Sequence, residues 1–209
     1  MHIEIALSKR RAILIMRLPT ILEAEKLLKE AEQLNSGLWV GHSKTVAFCA
    51  KVIAEYCDNL DTDTAYILGL LHDIGRREGM TDMKHIIDGY RFMKSLGYDD
   101  CARICLTHSF PYKDIRSYNG QNDCKVAETE YIKSFLDQTE YNDYDRLIQL
   151  CDALALPDGE NYIEKCLVDV VMRRGFNDLT IPKWKAFLNL KDYFDKKTGT
   201  DIYKLIGVQ

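Results

Sequence analysis

Asp61-Thr62-Asp63-Thr64-Ala65-Tyr66-Ile67-Leu68-Gly69-Leu70-Leu71-His72-Asp73-Ile74-Gly75 is the stretch on which the fold turns. Asp61 or Thr62 can cap a helix, because a short side-chain oxygen accepts from the free N–H groups of a first turn. Ile67, Leu68, Leu70 and Leu71 then run as apolar residues up to the His72-Asp73 pair. His72 follows Leu68 at i+4, so it shares a helix face with the core. Gly75 supplies a C-terminal stop. An apolar helix that ends in two adjacent ligand-type side chains is the unit to be explained.

The same helical period continues in both directions. Helices are expected over 20–34, 40–56, 62–73, 82–96, 99–108, 123–137, 144–156, 159–174 and 182–196, with a short one at 201–206. The longest irregular stretch, 109–122, holds Pro111, Asn119 and Gly120 and reads as a loop. The four prolines fall at helix starts or in loops. No segment alternates with period two, and no repeat or low-complexity linker divides the chain. The expected fold class is all-α, one compact helical bundle over 20–209. Residues 1–19 are expected to form a loosely ordered N-terminal extension. Its apolar and basic segments lack the order and cleavage site of a signal peptide, and Met16 is an alternative start.

With 209 residues, 46% hydrophobic and 29% charged, the chain can bury a core of its own. A net charge of −4 gives no electrostatic footprint for nucleic acid, so no DNA partner is expected. No run of about 18 apolar residues exists, so no membrane span is expected. The seven cysteines are odd in number and contain no CxxC pair, which fits reduced thiols and a cytoplasmic location.

Four of the five histidines join two aspartates in one ordered series: His42, His72-Asp73, His85, His108 and Asp152. Each shares a face with apolar residues. His42 is followed at i+4 by Val46, His85 leads to Gly89 and Phe92, His108 continues Cys101, Ile104 and Cys105, and Asp152 lies between Ile148 and Leu156. A buried carboxylate needs a partner, and neither aspartate has a basic one in its own helix apart from Arg76 and Arg77 just after Asp73. Singly, each of these residues is a hydrogen-bonded core group or a cap. Together, six imidazole and carboxylate ligands point to a divalent metal centre.

This series resembles the HD-domain superfamily of metal-dependent phosphohydrolases, in which a His-Asp-Ile-Gly string follows an apolar helix. The likeness covers about 38–156. Stretches 69–79, 102–111 and 145–158 are similar to a narrower group of bacterial HD-domain proteins, and that likeness names no substrate. The resemblance implies that His42, His72, Asp73 and Asp152 form a minimal site. His85 and His108 would complete a second metal, with Asp73 as the bridge. Two divalent ions are expected, iron or manganese first, with zinc, nickel, cobalt or magnesium as alternatives. Such a pair would activate a hydroxide and clamp a phosphoryl oxygen. Where dinuclear relatives commonly carry lysine, this chain has Arg76, which can grip phosphate through two parallel bonds but cannot give up a proton.

Asp73 and Arg76 are therefore the expected catalytic residues. Arg76, Arg77, Lys84 and Lys113 are the expected substrate-binding cations, with Arg116 beside them. The expected substrate is a small phosphorylated molecule, a nucleotide by analogy with the superfamily. The 109–122 loop, with Phe110, Tyr112 and Tyr118, is read as a cover for the pocket or a base-stacking surface. No P-loop, GxGxxG or GxSxG motif points elsewhere. Two rivals remain: a di-iron HD-type oxygenase with the same ligands, and a metal- or nucleotide-binding regulatory module without turnover.

Overall fold

The computed structural model describes residues 17–208. Most of the expected 1–19 extension, residues 1–16, lies outside the described residues. Arg17, at its end, donates its backbone N–H to Asp100 at 2.7 Å.

Helix α1 (Ile21–Leu34) begins with a capping box, in which Thr20 accepts from the Glu23 N–H and Glu23 accepts from the Thr20 N–H. Helix α2 (Leu38–Ala54) and helix α3 (Thr62–Leu71) form the central pair. Asp61 caps α3 by accepting from the Thr64 N–H at 2.8 Å. The two helices approach closely at Gly69, where a Cβ would lie 2.8 Å from the Ala47 Cα. Helix α4 (Lys84–Ser95) and helix α5 (Asp99–Thr107) pack on each other, and helix α6 (Val126–Gln138) closes a smaller apolar cluster around Ile86, Leu106, Phe110 and Ile132. Helix α7 (Asp143–Leu154) completes the main core with α2 and α3. Helices α8 (Ile163–Arg174), α9 (Thr180–Thr198) and α10 (Ile202–Ile206) follow and cover one end of that core.

A buried charge pair fixes α5 against α7. Asp145 is fully buried and accepts from Arg103 Nη2 at 2.6 Å and from the Thr107 hydroxyl at 2.9 Å. Gln149, one turn further along α7, donates to the Thr107 carbonyl at 3.0 Å. These bonds, with Arg103 and Thr107 on α5 and Asp145 and Gln149 on α7, tie the ends of the two helices together.

Three expectations are corrected. The helices expected to run to 156 and to start at 159 give way to a short antiparallel hairpin, β1 (Ala155–Leu156) with β2 (Gly159–Glu160). Pro157 has no N–H to continue a helix and biases Leu156 toward extended backbone, while Gly159 adopts φ 151°. The second correction concerns Gly75. It does not stop a helix by a left-handed turn but sits in a 3-10 segment, Ile74–Glu78, pressed onto α4. A Cβ there would lie 1.9 Å from the His85 carbonyl and 2.4 Å from the Gly89 N. Third, α6 starts at Val126 rather than 123, because Asp123 is used otherwise: its carboxylate accepts the N–H groups of Asp82 at 2.8 Å and Lys84 at 2.7 Å, at the start of α4. Pro182 falls in the first turn of α9, where the missing N–H has no helical partner.

All seven cysteines are free and five are buried. Burial pushes the Cys49 thiol up to about 12, so it behaves as a small apolar core group. No helix among the described residues is long and apolar enough to cross a membrane.

Candidate metal centre

The six residues of the series converge. His42 comes from α2, His72 and Asp73 from the end of α3, His85 from α4, His108 from the end of α5 and Asp152 from α7. Two overlapping triads form, His42–His72–Asp152 and His72–Asp73–His108, each with ligand atoms within 4.8 Å of one another. His85 lies beside the second, with Nε2 3.0 Å from Asp73 Oδ1 and 3.3 Å from His108 Nε2. His72, Asp73, His85 and His108 are buried, while His42 and Asp152 are partly open to a cavity.

The outer nitrogen of each of the four site histidines is held the same way. His42 Nδ1 meets the Ala155 carbonyl at 3.2 Å, His72 Nδ1 the Gly69 carbonyl at 2.7 Å, His85 Nδ1 the Asp82 carbonyl at 2.5 Å and His108 Nδ1 the Ile104 carbonyl at 3.1 Å. A carbonyl only accepts, so Nδ1 carries the proton in each ring. All four Nε2 atoms then present lone pairs to the centre, the arrangement by which backbone carbonyls orient histidine ligands. The β1 strand exists at this point to some purpose, since its Ala155 carbonyl aims His42.

Lone pairs alone do not suit one another. His42 Nε2 lies 2.9 Å from Asp152 Oδ1, acceptor facing acceptor, and His72 Nε2 is buried without any hydrogen-bond partner. Protons could fill these gaps only by making imidazolium ions. Four of them beside Arg76 would face only the two carboxylates of the cluster, Asp73 and Asp152, a charge excess that burial penalises. Divalent cations between these atoms would meet the lone pairs without adding protons, so the donor set fits a metal.

Electrostatics reinforce the carboxylate side. Burial pushes Asp73 upward, but Arg76, His85 and His72 outweigh it and hold its carboxyl well below the usual range. Asp152 is likewise held low by His42 and His72 against its burial. Burial and Arg76 draw His85 down, whereas Asp73 and Asp152 draw His72 up on balance despite its burial. Arg76 itself donates Nε to Asp73 Oδ2 at 2.5 Å.

The centre opens into a cavity of about 670 Å3, a size suited to a small-molecule ligand. Arg76 lines it, but the other expected cations do not. Arg77 turns away and stacks on Phe92, 3.8 Å from the ring centre, because the tight 3-10 segment sends neighbouring side chains to opposite sides. Lys84 pairs with Asp88 one turn along α4 at 3.1 Å. Lys113 donates to the Thr139 carbonyl and lies over the Tyr141 ring, and Arg116 is tied to Asp114 on the surface. Of the loop aromatics, Phe110 is fully buried in the smaller core and only Tyr118 reaches the cavity, together with Ser109, Asn119 and Gly120.

The cations that do line the cavity with Arg76 come from α8 and α9: Lys165, Arg173, Arg174 and Lys183. They were missed because charged residues in amphipathic helices read as solvent-facing. Lys183 carried a usable signal, since it shares a face with Phe187 and Phe194, the same pattern that marked the histidines.

The sequence model of the HD domain family matches residues 39–156, more than half of the chain. No curated protein and no solved structure matches the chain, so the narrower bacterial likeness has no support there.

Proposed function

The chain belongs to the HD-domain family, whose members form a superfamily of metal-dependent phosphohydrolases, and from that premise we propose that it hydrolyses a phosphoester or phosphoanhydride of a small molecule, a nucleotide by analogy. The observation that carries this reading is the set of four carbonyl-oriented Nε2 lone pairs facing two carboxylates at the floor of a cavity.

His42, His72, Asp73 and Asp152 would hold one divalent ion, and His85 and His108 with Asp73 would hold a second, iron or manganese in the first instance. The chemistry supplied by such ions is the activation of water and the neutralisation of charge on phosphoryl oxygens. The protein's own groups do the rest. Asp73 is kept ionised by Arg76, and so remains a ligand across the neutral range. Arg76 spends Nε on Asp73 and keeps its other N–H groups for a phosphoryl oxygen on the cavity side. Asp73 pins Arg76 in its charged form, so it positions and neutralises substrate rather than moving a proton. Tyr118, with Ser109, Asn119 and Gly120, lines the cavity, where it would limit water around the reacting group.

Elemental analysis of the purified protein, followed by a panel of nucleoside mono-, di- and triphosphates, cyclic dinucleotides and dinucleoside polyphosphates, tests the proposal. Metal-dependent phosphate release or phosphodiester cleavage is the expected result. Oxygen uptake by ferrous-loaded protein with no cleavage of any panel member would establish the oxygenase reading instead. Tight nucleotide binding without turnover would establish the regulatory one.

A further inference from the structure

Lys183 is the least accounted-for charge in the molecule. It is only 6% exposed, lines the cavity and donates one hydrogen bond, to the Ser117 carbonyl at 2.9 Å. An ammonium group has three donors, so two remain for something else. Of the other cations in the wall, Arg173 pairs with Asp169 at 2.7 Å, Arg174 pairs with Asp82 at 3.2 Å, and Lys165 is exposed to solvent. Among the described residues no carboxylate pairs with Lys183. A latch between α9 and the 109–122 loop needs only a neutral donor, and an unpaired buried ammonium is an expensive way to provide one.

We infer that Lys183 receives a second anionic group of the substrate, a phosphate remote from the one held at the metal centre. This rests on the proposed phosphohydrolase reading and narrows it to substrates with two separated phosphates or a polyphosphate chain. The α8–α9 segment lies beyond the residues matched by the HD domain, so substrate choice is assigned to the part of the chain outside the family core. Burial lowers the Lys183 ammonium to about 8 in the bare cavity, and an arriving anion restores full protonation and compensates the burial.

The test is calorimetric titration of inorganic pyrophosphate into chelator-treated, metal-free protein, wild type against K183M and K183R, with melting temperatures of the three chains. Methionine preserves the length and apolar stem without the charge. The expected result is affinity about tenfold to a hundredfold weaker in K183M, largely restored in K183R, with a K183M melting temperature equal to or above wild type. Affinity within twofold of wild type in K183M overturns the inference. So does a K183M chain that melts several degrees lower, because that result makes the ammonium a structural latch. Substrate cleavage by K183M with unchanged KM also overturns it and leaves the phosphohydrolase reading intact. Pyrophosphate bound through Lys183 without cleavage of any panel member does the reverse.

Discussion

Asp73 joins the ligand cluster to the cation beside it: its Oδ1 faces His85 and His108, and its Oδ2 holds Arg76. Replacing it with Ala removes the only carboxylate of the His72–Asp73–His108 triad, the one that also faces His85. D73A is expected to retain less than a tenth of wild-type metal by elemental analysis and to lose hydrolysis, with circular dichroism showing unchanged helical content. Two ions per chain in D73A would sink the assignment. Arg76 makes a separable prediction, since it is not a ligand. R76A should keep its metal while KM rises about tenfold or more, the usual cost of one lost charge-assisted bond. A change confined to metal content would show that Arg76 serves only Asp73. At this scale the ligand positions were legible because a polar side chain on an apolar helical face is costly without a partner. Arg77, Lys84 and Lys113 were not, because nearness in sequence to His72-Asp73, His85 or His108 says nothing about which way a long, flexible cation turns.

The helices were legible as elements, since caps and period-3.6 apolar positions are local signals. The pieces that aim the ligands were not. A two-residue strand has no period to detect, yet Ala155 in β1 orients His42. The 3-10 segment after α3 was hidden behind a glycine that looks like any helix stop. Gly75 belongs there because the His85 carbonyl and the Gly89 N leave no room for a Cβ. Both neighbours are backbone atoms of α4, so they cannot swing aside. G75A should push the start of α4 away, destabilising the protein by about 1–3 kcal/mol as overpacking does and displacing His85 from Asp73. Urea unfolding and metal stoichiometry measure the two effects in one preparation. A G75A chain with wild-type stability and metal content would show that the 3-10 segment does not set His85.

Across the whole molecule, α7 and α9 are joined at Asp143, which accepts from Tyr193 at 2.7 Å, Asn59 at 2.8 Å and Lys197 at 2.9 Å. Although burial pushes its carboxyl up, these donors bring it down to about 2. The unfolded carboxyl takes up its proton near pH 4, earlier than the folded one as pH falls. The contribution is therefore complete above pH 4 and disappears between pH 4 and pH 2. Solvent access and screening limit it to about 1 kcal/mol. D143N should be less stable than wild type by that amount at pH 7, and the gap should narrow as the medium is acidified below pH 4. A constant gap would mean that geometry, not charge, is lost.

The metal centre joins more of the fold than that surface bridge does. Its six donors come from α2, α3, α4, α5 and α7, so an ion bound there ties together both apolar clusters. Without it, lone pairs of buried histidines and two carboxylates face one another in the middle of the molecule. Any ion that binds the folded chain and not the unfolded one stabilises by RT ln(1 + [M]/Kd), about 4 kcal/mol at a thousandfold excess over Kd. For a chain of this length each kcal/mol is worth roughly 2–4 °C. Chelation should therefore lower the melting temperature of wild type by roughly 8–16 °C, and added Mn or Fe should restore it. D73A should melt at one temperature with or without chelator. If wild type and D73A respond alike, the six side chains are a polar core and not a metal site, and the functional reading built on them falls with it.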